Sequence, residues 1–89
     1  MDKLLEEIYN DSKEGYTGMD YTYHDDELGY DRYTFILENN KLMITEYLLD
    51  YDEMMTGSNK LFLPETITLE EFKRDVNSAI YYIALDVAE

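Results

Sequence analysis

Apolar residues recur along this chain with two periods, and the change of period divides it into helices and strands. Residues 2–14 repeat apolar side chains at helical spacing, which predicts a first helix that ends at Gly15. Residues 16–24 alternate between apolar and polar side chains, which predicts a half-exposed strand. Residues 25–29 are dense in acids and predict a loop, because like charges keep one another in water.

A β-hairpin is predicted in the middle of the chain. Two β-rich runs, residues 30–38 and 41–51, flank Asn39 and Asn40, and asparagine tolerates the positive φ of a tight turn. A two-residue turn fixes the register as Glu38 with Lys41, Leu37 with Leu42, Ile36 with Met43, Phe35 with Ile44, Thr34 with Thr45, Tyr33 with Glu46 and Arg32 with Tyr47. We expect the face with Phe35 and Ile44 to be core, and the face with Ile36 and Met43 to be a mixed surface.

The last third of the chain predicts a loop, a short strand and a long helix. The acids of residues 50–53 and the Gly-Ser-Asn at 57–59 indicate a second loop, and residues 60–63 a fourth strand ended by a proline. In residues 67–88, Thr68 and Glu71 form a capping box, followed by an apolar stripe at helical spacing. The stripe consists of Phe72, Val76, Ala79, Ile80, Ile83 and Val87.

These elements predict one α+β domain over residues 1–89. Its order is α-β-β-β-(β)-α, with a small antiparallel sheet packed against an N-terminal and a long C-terminal helix. We also expect Ile67 to pack against Phe72 as a hydrophobic staple at the start of the second helix. Three of the tyrosines are expected to be partly core: Tyr33, Tyr81 and Tyr82.

Charge narrows the choice of partners. The 89 residues carry 21 acids against seven cations, a net charge of -14, which repels nucleic acid and anionic membrane and favours a basic protein partner. There is no cysteine, which excludes disulfides and thiolate chemistry. No apolar run approaches the roughly 20 residues of a membrane span, and the acidic N-terminal stretch is not typical of a signal peptide. We expect a soluble, cytoplasmic protein.

More than half of the net charge lies in residues 16–53. This segment holds ten acids and two cations, a net charge of -8, together with seven of the ten tyrosines. A tyrosine ring beside a carboxylate suits an arginine-rich target, through cation–π and bidentate contacts. We therefore expect these acids and rings to gather on a common side and to bind a partner. The predicted binding residues are Asp20, Tyr21, Tyr23, Asp25, Asp26, Glu27, Tyr30, Asp31, Glu46, Tyr47, Asp50, Asp52 and Glu53.

Other site chemistry is less well supported. His24 stands beside three acids, but consecutive residues point in different directions and no second histidine completes a metal site. An EF-hand loop starting at Asp50 would need glycine where Met55 stands and glutamate where Leu61 stands. With no nucleophile elbow or glycine-rich phosphate loop, we expect no enzymatic activity, no metal and no cofactor.

The chain resembles a class of small acidic phage and mobile-element proteins. The resemblance covers its size, its charge, its lack of cysteine and its α/β layout with acid-rich loops at residues 20–31 and 50–53. These proteins are the anti-CRISPR and anti-restriction inhibitors that mimic DNA. The resemblance implies a non-enzymatic inhibitor in the host cytoplasm, bound to the basic nucleic-acid site of a defence nuclease or CRISPR effector subunit. Two alternatives remain open. One is an antitoxin or immunity protein for a basic toxin, and the other a small structural subunit that self-associates as a homodimer through Ile36, Met43 and Tyr47.

Overall fold

The computed structural model describes residues 1–25, 31–50 and 53–88 of the chain, with side chains at 1–24, 32–46 and 57–83. The chain forms two helices and a four-stranded antiparallel sheet whose strands lie in sequence order, and both helices pack on one face of the sheet. The predicted α+β architecture is therefore confirmed. The elements are α1 (Asp2–Lys13), β1 (Met19–Asp25), β2 (Asp31–Glu38), β3 (Lys41–Asp50), β4 (Glu53–Phe62) and α2 (Leu69–Ala88).

The predicted hairpin is confirmed pair by pair. Strands β2 and β3 pair from Glu38 with Lys41 at the turn to Arg32 with Tyr47 further along, and one more pair joins Asp31 to Leu48. Asn39 has a φ of 50°, in the left-handed region that asparagine adopts more readily than most residues. The two-residue turn thus fixes the register of β2 with β3.

Strand β4 is longer than the sequence predicts. The predicted loop at residues 57–59 is wrong, because Gly57, Ser58 and Asn59 pair with successive residues of β3 within a ten-residue strand. Residues typical of turns are held extended here because each lies opposite a strand that is already fixed by the hairpin. Tertiary pairing outweighs weak local preferences in such strands.

Both helices end or begin as their sequences indicate. Gly15 has a φ of 84° and follows the last turn of α1, where its amide donates to the carbonyl of Ser12. At α2, the amide of Glu71 donates to Thr68 Oγ1 at 3.1 Å, and the amide of Thr68 donates to Glu71 Oε1 at 3.1 Å. These two bonds confirm the capping box. Ile67 is buried in the same core cluster as Phe72, as a hydrophobic staple requires.

The core lies between one face of the sheet and the two helices. Alternate residues of β2 and β3 are fully buried on that face, and the stripes of α1 and α2 cover them. Tyr33 packs partly against this core, as predicted. Tyr81 and Tyr82, in contrast, are each 61% exposed, so their prediction as core residues is wrong. The buried cluster is Leu5, Ile8, Tyr21, Phe35, Leu37, Leu42, Ile44, Leu63, Ile67, Phe72, Val76, Ala79 and Ile83.

Candidate functional site

Acidic residues close two neighbouring hairpins at one end of the sheet. Asp25 pairs with Asp31 at the end of the β1–β2 ladder, and Asp50 pairs with Glu53 at the end of the β3–β4 ladder. Because the strands run in meander order, these two ends lie at the same end of the sheet, opposite the Asn39 turn. We call this the acid end and define it by Asp25, Asp31, Asp50 and Glu53.

At the acid end, acidic residues occupy paired positions of the backbone ladders. Paired Cα atoms of antiparallel strands lie about 4.5–5.5 Å apart, and like charges in such pairs are destabilising. Asp31 also pairs with Leu48 on β3, two residues from Asp50, so the two acidic pairs are about 7 Å out of step along the strands. Four acidic positions therefore lie at the same end of the sheet, one on each strand.

Six of the other nine predicted binding residues fall into three groups. Asp20 is exposed on β1. Tyr47 pairs with Arg32 across the β2–β3 ladder, and its side chain, like those of the acid-end residues, is not described. The predictions for four residues lie outside the described part of the chain: Asp26, Glu27, Tyr30 and Asp52.

Tyr21 lies in the core. Its side chain is 8% exposed, and its hydroxyl donates a hydrogen bond of 2.5 Å to Asp11 Oδ2 on α1. Burial of the hydroxyl, followed by the hydrogen bond to Asp11 and the negative charges of Asp11 and Glu7, raises the pKa of Tyr21 far above its ordinary value. Tyr21 thus joins the sheet to α1, and its ring is buried in the core.

Two further predicted residues also lie on the helix-covered side of the sheet. Glu46 is 4% exposed and pairs in the register with Tyr33 on β2 and Gly57 on β4. Tyr23 is half-buried and stacks on Tyr33, with ring centroids 6.4 Å apart. The described members of the predicted set are therefore split between the two faces of the sheet, and the expected common side of acids and rings is not formed by them.

Among the described elements, neither helix packs on the opposite face of the sheet, which we call the open face. The register arranges its side chains in transverse rows, each running across neighbouring strands. One row consists of Asp20, Ile36, Met43 and Lys60. A second consists of Glu38, Lys41 and Phe62, and a third of Thr22, Thr34, Thr45 and Ser58.

The open face differs in charge from the rest of the molecule. Its described residues include two acids, Asp20 and Glu38, and three cations, Arg32, Lys41 and Lys60, which gives +1 on a chain of net charge -14. The described residues of this face therefore do not form the gathering of acids that was expected on one side of the molecule. The sequence predicted a mixed face around Ile36 and Met43, but not its rows across all four strands, because Lys60 was assigned to a short strand without a register.

An open, polar groove lies at the turn end of the sheet. It has a volume of about 650 Å³, and its walls come from the end of α1, the β2–β3 turn and the segment before α2. Lys13 lines the groove, and its Nζ donates to the carbonyl of Glu65 at 2.6 Å. The lining residues are Ser12, Lys13, Gly15, Asn39, Asn40, Leu63, Pro64 and Glu65.

Three further findings concern the described residues and the sequence as a whole. Within this part of the chain, no group of three or more potential ligands is placed to hold a metal ion. Neither helix, as far as it is described, has a stretch long and apolar enough to span a bilayer. Comparison of the chain with protein-family models, with curated proteins and with solved structures gave no match.

Proposed function

We propose that this protein is a non-enzymatic inhibitor that binds the basic nucleic-acid site of a defence nuclease or CRISPR effector through its acid end. The observation that carries the proposal is the pairing of Asp25 with Asp31 and of Asp50 with Glu53 in adjacent hairpins. Like-charge pairs cost folding free energy. A binding site for cations is a physical reason for a fold to retain them at one place.

The spacing of these acids suits a site that binds phosphates. Duplex DNA carries one negative charge per about 1.7 Å of its axis, counting both strands. The four acidic positions span about 14 Å across the four strands and about 7 Å along them, which gives a lower charge density of the same order. A groove lined with lysine and arginine would gain charge-assisted hydrogen bonds to these carboxylates, as it does to phosphate oxygens.

The tyrosines enter the proposal only in part. The hydroxyl of Tyr21 is hydrogen-bonded to Asp11 inside the fold, and the ring of Tyr23 stacks on Tyr33 beside the core. We therefore assign the binding energy to the carboxylates. Electrostatic steering would be the main source of a fast association rate and of specificity. A partner held in this way should be released by salt, because a Debye length of about 8 Å at physiological salt falls to about 3 Å at 1 M.

Competition with labelled duplex DNA tests the proposal. CRISPR effector subunits and restriction nucleases are loaded with fluorescent DNA, and the protein is added at about 50 mM and at about 500 mM salt. We expect DNA to be displaced from its target at the lower salt and the displacement to weaken steeply at the higher one. DNA binding that excess protein leaves unchanged at low salt throughout would contradict the proposal.

A further inference from the structure

The open face of the sheet is an uncovered surface with exposed apolar side chains. Phe62 is 58% exposed and Ile36 is 37% exposed, although both belong to strands whose other face is core. Met43 is half-buried between Ile36 and Lys60 in its row. Apolar groups of this size on a sheet face commonly mark a contact surface.

We infer that the open face binds the open face of a second copy of this chain. The argument rests on the order of side chains in the rows. From β1 to β4, one row reads acid, apolar, apolar, cation, with Asp20 at one edge and Lys60 at the other. If the same row is read in the opposite direction, each acid faces a cation and each apolar residue faces an apolar one. A two-fold axis brings a second copy of the row into this reversed order.

A two-fold axis parallel to the strands, midway between β2 and β3, brings the complementary groups together. It places β1 over β4 of the second copy, so Asp20 faces Lys60 of that copy and Ile36 faces its Met43. The neighbouring row behaves in the same way, because Glu38 on β2 faces Lys41 on β3 of the second copy. Hydroxyl residues of the third row meet hydroxyl residues. Each of these contacts occurs twice, as an isologous interface requires.

The other simple arrangement is disfavoured by charge. An axis perpendicular to the strands, through the same row, would place Asp20 on its own equivalent and Lys60 on its own equivalent. Like-charge contacts in an interface cost several kcal/mol. Sheet twist still allows the preferred charge pairs to form. Stacked sheets cross at about 30°, and the edge strands that carry Asp20 and Lys60 lie about 7 Å from the axis. That rotation displaces them by about 4 Å, which a lysine side chain spans.

The size of the face indicates a weak dimer. Four strands at about 4.8 Å and about eight residues at about 3.3 Å give a footprint of roughly 500 Å² per copy. The total of about 1,000 Å² lies at the low end of specific interfaces. The inference does not rest on the proposed function, because the acid end lies at the end of the sheet and not on this face.

Sedimentation equilibrium between about 10 µM and about 1 mM protein tests the dimer. We expect the mean mass to rise with concentration from 10.6 kDa towards twice that value. Asp20→Lys alone and Lys60→Asp alone each set like charges against each other and should weaken association at least about tenfold. The double variant exchanges the charges and should restore it. Matched controls are Lys3→Asp in α1 and Glu14→Lys directly after it, which change the net charge equally and should leave association unchanged.

Zero-length cross-linking of carboxylates to amines identifies the pairing directly. In one copy, Asp20 and Lys60 lie three strands apart, about 14 Å, so a link between them is expected only across the interface. A mixture of ¹⁵N-labelled and unlabelled protein should give the mixed-label product. A single mass of 10.6 kDa at every concentration would overturn the inference. A dimer that is indifferent to both single variants, or not restored by the double variant, would overturn it equally, with circular dichroism confirming that each variant is folded.

Discussion

At the scale of single residues, Tyr21 shows how a side chain suited to an interface can serve the fold. Its ring is buried among the residues of the sheet core, and its hydroxyl reaches the half-buried carboxylate of Asp11. Hydrogen bonds to charged groups contribute about 1.5–3 kcal/mol, more than bonds between neutral groups. This one contact therefore joins β1 to α1, between which few other residues meet.

Tyr21→Phe should lower the free energy of unfolding by about 1–2 kcal/mol, because it removes the donor to Asp11 while water can still reach that carboxylate. Tyr16→Phe is the matched control, since Tyr16 is 51% exposed and its hydroxyl is not in the core. Urea denaturation followed by circular dichroism measures both. Equal stability of the two variants would show that the hydrogen bond contributes nothing.

The positions of individual residues were only partly predictable from the sequence. Alternation along the predicted hairpin places Glu46 on the same face as Leu42 and Ile44, which the structure buries. Its charge suggested an exposed position. Side chains alternate strictly between the two faces of a strand, however, so Glu46 must lie on the same face as Leu42 and Ile44. Applied strictly, parity would have removed Glu46 and Tyr21 from the predicted site.

At the scale of elements, the N-terminus of α2 has the clearest local energetics. Thr68→Ala removes the oxygen that accepts from the amide of Glu71, and we expect a loss of about 1 kcal/mol of stability at pH 7. Thr66→Ala is the control, because Thr66 is exposed and precedes the cap. Thermal unfolding of both variants measures the difference. A loss of equal size at Thr66 would refute the role of the cap.

Glu71 gives this cap a dependence on pH. The hydrogen bonds from the backbone and side chain of Thr68 hold the pKa of Glu71 below its ordinary value. A lowered pKa in the folded state means that the carboxylate stabilises the fold fully above its unfolded pKa of about 4.3 and loses this contribution as the pH falls further.

Glu71→Gln keeps the capping oxygen and removes the charge. The difference in melting temperature between wild type and this variant should be constant from pH 7 to about 5 and should shrink below about pH 4. Parallel melting curves across this range provide the measurement. A difference that grows on acidification would show that the sign of the shift is wrong.

The β2–β3 turn depends on the left-handed conformation of Asn39. An L-residue without asparagine's local hydrogen bonding costs about 1–2 kcal/mol in this region. We therefore expect Asn39→Ala to be about 1 kcal/mol less stable than Asn39→Gly, since glycine adopts positive φ freely. Chemical denaturation of this pair compares the same backbone position directly. If both variants are equally stable, the turn does not require the positive φ.

Elements were predictable where local and long-range signals agree. The hairpin was found because its turn residues and the alternation of both strands point to one register. Strand β4 was predicted too short because Gly57, Ser58 and Asn59 favour turns, and only the ladder with β3 holds them extended. The rows of the open face were missed for the same reason, since they exist only once all four strands are in register.

At the scale of the whole molecule, charge is sorted among three surfaces. The acid end gathers paired acids, the open face has a slight excess of cations among its described residues, and exposed acids on both helices account for much of the remainder. The two-fold axis that we infer runs parallel to the strands, so it would place both acid ends of a dimer at the same end. Self-association and partner binding then use separate surfaces of one sheet.

The measurement that tests the central claim most directly compares two sets of neutralised acids in the DNA competition assay. One variant neutralises the acid end with Asp25→Asn, Asp31→Asn, Asp50→Asn and Glu53→Gln. Its control neutralises four exposed acids elsewhere with Glu7→Gln, Glu14→Gln, Glu65→Gln and Glu70→Gln, so both variants have a net charge of -10, four units from -14.

We predict that the acid-end variant melts at a higher temperature than wild type, because two like-charge pairs are relieved. It should also lose at least about tenfold in its ability to displace DNA, whereas the control loses much less. Equal losses in both variants would show that only the total charge matters. Full displacement activity in the acid-end variant would contradict the assignment of the binding site to this end of the sheet.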